Sequence, residues 1–76
     1  MTRDEFTERL RTLLRRRPFQ PFTMILLTGE RIEADVPEAV SLGGGAGGYV
    51  DPSGEVFLFD FRGVREIVEH ASEAAS

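Results

Sequence analysis

Arg17-Pro18-Phe19-Gln20-Pro21-Phe22 is the stretch on which the fold of this 76-residue chain turns. Its two prolines lie three positions apart. Each lacks an amide donor and drives the residue before it towards extended backbone, so no helix continues through them. The segment before them must end as a helix here, and the segment after them must start as a strand. Phe19 and Phe22 are placed to pin the crossing against a core. The stretch is a joint and carries no catalytic pattern.

Upstream of the joint, Thr2-Arg3-Asp4-Glu5 has the spacing of a capping box, with Met1 and Phe6 at the flanking staple positions. Phe6, Leu10, Leu13 and Leu14 form one apolar stripe at helical spacing. Acids in the first turn and Arg15, Arg16 and Arg17 in the last complement the helix dipole. The pattern predicts a helix over residues 3–16, with Glu5–Arg9 and Glu8–Arg11 spaced as surface ion pairs.

Downstream, residues 22–28 read as a strand with apolar residues on both faces: Phe22, Met24 and Leu26 on one, Ile25 and Leu27 on the other. A turn at Thr28-Gly29-Glu30 leads into a strand over 31–36, where Ile32, Ala34 and Val36 alternate with Arg31, Glu33 and Asp35. Pro37 ends it. A third strand spans 40–50 and is interrupted at 43–48 by Gly43-Gly44-Gly45-Ala46-Gly47-Gly48. This run reads as a mobile hairpin loop, because glycine loses the most backbone entropy on ordering. It lacks the Lys-Ser or Lys-Thr and the ensuing helix of a phosphate-binding loop. Asp51-Pro52-Ser53-Gly54 is a turn. Residues 55–61 form the most apolar strand, with Phe57, Phe59 and Phe61 opposite Val56 and Leu58. Arg62-Gly63 bends the chain into a last strand over 64–68, and residues 70–76 read as a frayed tail.

The expected fold is therefore a single domain over residues 1–76, mainly β with one N-terminal α-helix. Its strands make a small, strongly bent, five-stranded antiparallel sheet or barrel. A chain this short buries only ~60% of its unfolded surface, so association with a partner would add stability.

Composition removes several kinds of function. The chain has no cysteine, which excludes disulfides and thiolate metal sites, and its one histidine, His70, does not make a zinc site alone. No metal and no cofactor are expected. No apolar run approaches the ~20 residues of a membrane span, and no leader pattern precedes the helix, so a cytoplasmic protein without a membrane partner is expected. Charge is divided along the chain: residues 1–17 carry a net +3 and residues 18–76 a net −7. That polarity favours head-to-tail contacts. The acids are spread over strand faces and turns, and no nucleophile has an evident base. The chain is not read as an enzyme.

Two resemblances attach to these residues. Arg17 to Phe22, the turn Thr28-Gly29-Glu30-Arg31 and the pair Pro37-Glu38 together resemble a group of uncharacterised small bacterial proteins. In that group a histidine often precedes the Pro-Glu pair, where this chain has Val36. More distantly, Leu26-Leu27-Thr28-Gly29-Glu30-Arg31 and Phe61-Arg62-Gly63 are similar to the two motifs of the Sm-like (Hfq-type) RNA-binding fold. That resemblance implies a small barrel of the Sm-like or SH3-like kind, ring assembly through edge strands, and RNA as partner. The chain departs from it in having no asparagine to hold a base and in placing Glu66 where an apolar residue is expected.

These residues offer two functional surfaces. Arg11, Arg15, Arg16, Arg17 and Arg62 are candidate nucleic-acid contacts, since arginine both pairs with phosphate and stacks on bases. Ile25, Leu27, Val56 and Leu58 are a candidate self-association surface, because one helix cannot cover both faces of two apolar strands. The second accounts for more of the sequence. The chain is read as a small protein-interaction or self-assembling module, expected to be a homo-oligomer, with an RNA-binding ring as the alternative. No residue names a biological process.

Overall fold

The computed structural model describes residues 1–70. The chain runs α1 (Arg3–Arg15), β1 (Phe22–Leu26), β2 (Arg31–Ala34), a 3-10 turn (Pro37–Ala39), β3 (Val40–Gly43), β4 (Ala46–Val50), β5 (Val56–Asp60) and β6 (Val64–Glu69). It is mainly β with one N-terminal helix, as its periodicities imply.

The helix starts where the capping box places it. The Glu5 amide donates to the Thr2 hydroxyl at 3.1 Å, and the Thr2 amide donates to the Glu5 carboxylate at 3.0 Å. Those two bonds to Thr2 hold the Glu5 carboxyl below its ordinary range. The helix ends one residue earlier than expected, since Arg16 is already extended at φ −62°, ψ 136°. Phe6, Leu10 and Leu13 are buried and Leu14 packs against them. At the joint, where the Arg17–Pro18 bond is cis, Phe19 meets Phe22 edge-on with centroids 6.0 Å apart.

Among the described residues the strands number six, in two antiparallel sheets of three, ordered β2-β1-β6 and β3-β4-β5. The expectation of five strands fails at the glycine run. Residues 43–48 are not a loop: Gly43 closes β3, Ala46, Gly47 and Gly48 belong to β4, and only Gly44 and Gly45 turn. Those two have φ of 62° and 87°, the two successive left-handed residues of a tight hairpin turn. The entropic cost of ordering glycine is offset by ladder hydrogen bonds on both sides of β4 and by the Phe59 ring, which lies across Gly47. Other strands are shorter than their patterns. β1 stops at Leu26 because Gly29 bonds back to its carbonyl. β2 stops at Ala34, before the chain enters the 3-10 turn at Pro37, and Val36 is left exposed. β6 runs one residue further than expected, to Glu69. Among the described residues no strand pairing joins the two sheets into a closed barrel.

The core lies between the sheets and under α1. Phe22 and Met24 of β1, Ile32 and Ala34 of β2, and Val64 and Ile67 of β6 face Val40, Tyr49 and Phe59 of the other sheet. Phe6 closes the space from the helix side, edge-on to Phe59 at 6.0 Å. His70, expected in a frayed tail, instead extends the β1–β6 ladder: its amide donates to the Pro21 carbonyl at 3.2 Å, and its Nε2 meets the buried Thr23 hydroxyl at 2.8 Å. The rest of the tail, residues 71–76, lies outside the described residues.

Candidate functional site

The register of the second sheet decides which apolar side chains are left uncovered. Leu58 stands opposite Gly48, and Gly48 opposite Ser41, so no large side chain flanks it on that face and it is 81% exposed. Val56, opposite Val50, is 60% exposed. Apart from Asp60, this outer face consists of Ser41, Gly43, Ala46, Gly48, Val50, Val56 and Leu58, small or apolar throughout. A sheet face with a single charged side chain, at its end, is unusual in contact with water.

Leu27, in the β1–β2 turn, is 66% exposed. It and Leu58 both line an open groove of about 590 Å³, with Leu26, Thr28, Phe59, Asp60 and Gly63 among its walls. Of the four residues expected to make a self-association surface, the fold brings Leu27 and Leu58 together. Val56 lies next along the Leu58 row. Ile25 stands apart on the outer face of the first sheet, between Arg31 and Glu66 in the cross-strand register, and is half-buried beside them. Val50 extends the patch and is missed by sequence reasoning, because the pattern around it reads as an interrupted strand and does not place it beside Val56.

Strand β5 is fastened at both ends. The Asp51 carboxylate accepts from the Ser53 hydroxyl at 2.6 Å, the Ser53 amide at 2.9 Å and the Glu55 amide at 2.9 Å. The Ser53 hydroxyl bond foremost, with the backbone amides beside it, pulls the Asp51 carboxyl below its usual range. At the other end Asp60 accepts from the amides of Arg62 and Gly63 at 3.0 and 2.9 Å. On the inner face burial pushes the Tyr49 hydroxyl up, with Asp35, Asp51 and Glu33 acting in the same direction.

The five candidate nucleic-acid arginines do not form one patch with free guanidinium groups. Arg11 pairs with Glu8 at 3.1 Å, and Arg16 with Glu69 and Gln20, both at 3.0 Å. Arg17 donates to the carbonyls of Leu14 and Arg16, satisfying the helix end. Arg15 and Arg62 make no ion pair among the described residues, and Arg62 lies over the Phe61 ring at 5.3 Å. Arg9 does not pair with Glu5, whose carboxylate is committed to the capping box; it reaches Glu69 at 3.1 Å and the Ile67 carbonyl at 3.3 Å.

Comparison with protein-family models, curated proteins and solved structures finds no match in any of the three. The site must therefore be read from its own chemistry. Among the described residues no cluster of His, Cys, Asp or Glu has the makings of a metal site, and no helix is long and apolar enough to cross a membrane. What the site offers is apolar contact: a groove lined by two exposed leucines, beside a small-residue sheet face on a strand tied at both ends by the turn bonds of Asp51 and Asp60.

Proposed function

We propose that the chain is a small protein-interaction module that works by self-association, with Leu58 and Leu27 at the centre of the contact. The observation that carries this reading is the groove lined by those two leucines and the sheet face continuing from it, on which Asp60 is the one charged side chain among the described residues. Leaving such area in water forgoes ~25 cal/mol for every Å², and a second copy covers it without any further component. The strand order supports a finer reading of the architecture. β2 passes into β3 through Asp35, Val36 and the Pro37–Ala39 turn, a connection short enough for the two sheets to be the halves of one strongly bent, Sm-like or SH3-like barrel that stays open between β5 and β6.

Light scattering on the purified chain tests the reading. The apparent mass is expected to rise with concentration, and Leu58→Glu is expected to hold the chain at monomer mass while leaving its melting temperature within a few degrees, since the side chain is exposed. A wild-type chain that stays monomeric when concentrated, or a Leu58→Glu variant that associates as well as wild type, contradicts the proposal.

The RNA-binding alternative rests on Arg62 and Arg15, the two candidate arginines whose guanidinium groups meet neither a carboxylate nor a backbone carbonyl among the described residues. Phosphate contact is strongest at low salt. Titration of single-stranded oligonucleotides at low salt is expected to show no binding. Salt-dependent binding that Arg62→Ala weakens would reverse this preference.

A further inference from the structure

We infer that the proposed self-association is a symmetric dimer in which β5 pairs antiparallel with β5 of a second copy, with Leu58 on the two-fold axis. The inference rests on that proposal and comes from the hydrogen-bonding state of the sheet edges.

The two sheets have four edge strands: β2, β6, β3 and β5. Unprotected edges invite another strand, and proteins blunt them with charge, proline or cover. Three are blunted here. β2 carries Arg31 and Glu33 in its four residues and is followed by Pro37. β6 is covered from the helix: Arg9 donates to the Ile67 carbonyl, and Arg9 and Arg16 both hold Glu69. β3 lies against α1.

β5 has no such cover, save that the carbonyl of its last residue, Asp60, accepts from the Gly63 amide at 3.1 Å. Its bonds to β4 are phased by Asp51 N–H to Glu55 C=O at one end and Phe61 N–H to Gly45 C=O at the other. Alternation along an antiparallel ladder then turns the backbone groups of Phe57 and Phe59 towards β4, and those of Val56, Leu58 and Asp60 away from it. The groove beyond them, walled by Leu26, Leu27 and Thr28, is the space into which a further strand enters.

The occupant is a second copy because the edge complements itself. The outward groups at 56, 58 and 60 are symmetric about Leu58, so a two-fold axis there lets Leu58 exchange both bonds with its counterpart and sets Val56 opposite Asp60. Charge matches in the same arrangement. Glu55 precedes the strand and Arg62 comes after it, and neither is ion-paired among the described residues. Antiparallel pairing sets each copy's Glu55 opposite the other's Phe61, next in the chain to Arg62, at two symmetric places. A head-to-tail ring through β5 and β6 would instead have to displace Arg9 and Arg16 from Glu69 and Arg9 from Ile67. One strand pair with its flanking side chains covers a small part of the 4926 Å² surface, less than the ~800 Å² per partner of a standard interface. The dimer is accordingly a weak, exchanging one.

Disulfide trapping tests the register, and the chain has no cysteine to interfere. Directly opposed residues in a hydrogen-bonded antiparallel pair have Cα atoms ~5.5 Å apart, within disulfide reach. Leu58→Cys is therefore expected to give a covalent dimer on mild oxidation. Ser41→Cys, on the same face but two strands from the edge, is expected to give none. A charge test avoids changing the apolar patch: Glu55→Arg or Arg62→Glu alone should weaken low-salt association about threefold or more, with two symmetric pairs lost, and the two together should restore it. Association seen by light scattering without trapping at position 58 and without charge rescue overturns this pairing and leaves self-association standing. A chain monomeric at every concentration overturns both.

Discussion

Phe22→Ala is expected to remove about 3–5 kcal/mol of folding stability, the range for deleting a buried aromatic side chain. Phe22 is 1% exposed, and its partner across the β1–β2 ladder is Ala34, too small to move into the vacated space. Phe19 would also lose the ring it meets edge-on at 6.0 Å. For a chain of this size, total stability of about 4–11 kcal/mol is ordinary, so the change takes a large part of it. At about 4–8 °C per kcal/mol the melting temperature should fall by at least ~12 °C. Phe19→Ala, only half-buried, should have a smaller effect. An unchanged melting temperature for Phe22→Ala would mean that the joint connects helix and sheet without anchoring either.

Gly47→Ala is expected to be as damaging, by the opposite route. A Cβ at Gly47 would lie well inside contact distance of the Ser41 carbonyl oxygen and 2.8 Å from the Phe59 ring. Ser41 is held in the β3–β4 ladder and Phe59 in the core against Phe6, so neither yields without cost. Overpacking of this kind costs ~3 kcal/mol when backbone must shift. Gly48→Ala is the control: its Cβ would sit 3.5 Å from Leu58, in ordinary contact, and the change should be neutral or slightly stabilising. Thermal melts of the two variants should differ clearly. Equal melts would mean that the glycine run behaves as a loop after all.

That run is where the sequence is least legible. Six small residues in a row carry no alternation, and composition alone favours a mobile loop. What orders them is a neighbour far along the chain: Phe59 covers Gly47, and pairing on both sides satisfies the backbone. Local patterns do better where the interaction is local. Thr2 and Glu5 announce the helix start, Phe6, Leu10 and Leu13 its buried face, and Pro18 and Pro21 its end. Arg9 shows the limit, because the i, i+4 partner at Glu5 loses to the cap and to Glu69, sixty positions away. The candidate surface divides the same way. That Val56 and Leu58 would lack cover is implied by a two-faced apolar strand; that Arg31 and Glu66 flank Ile25 depends on register. The arginines near the joint read as a basic cluster in one dimension, but their partners, Glu8, Glu69 and helix-end carbonyls, are assigned by the fold.

Whether this chain meets its partner along β5 is decided by amide spectra recorded over a dilution series of the wild-type protein. Weak, exchanging association shifts or broadens the resonances of the groups in contact. The amides of Val56, Leu58 and Asp60, which point away from β4, should move with concentration together with the side-chain methyls of Leu27 and Leu58, while Arg31 and Glu33 on the charged β2 edge stay fixed. Spectra independent of concentration along β5, or changes confined to β2, would contradict a contact made through that strand.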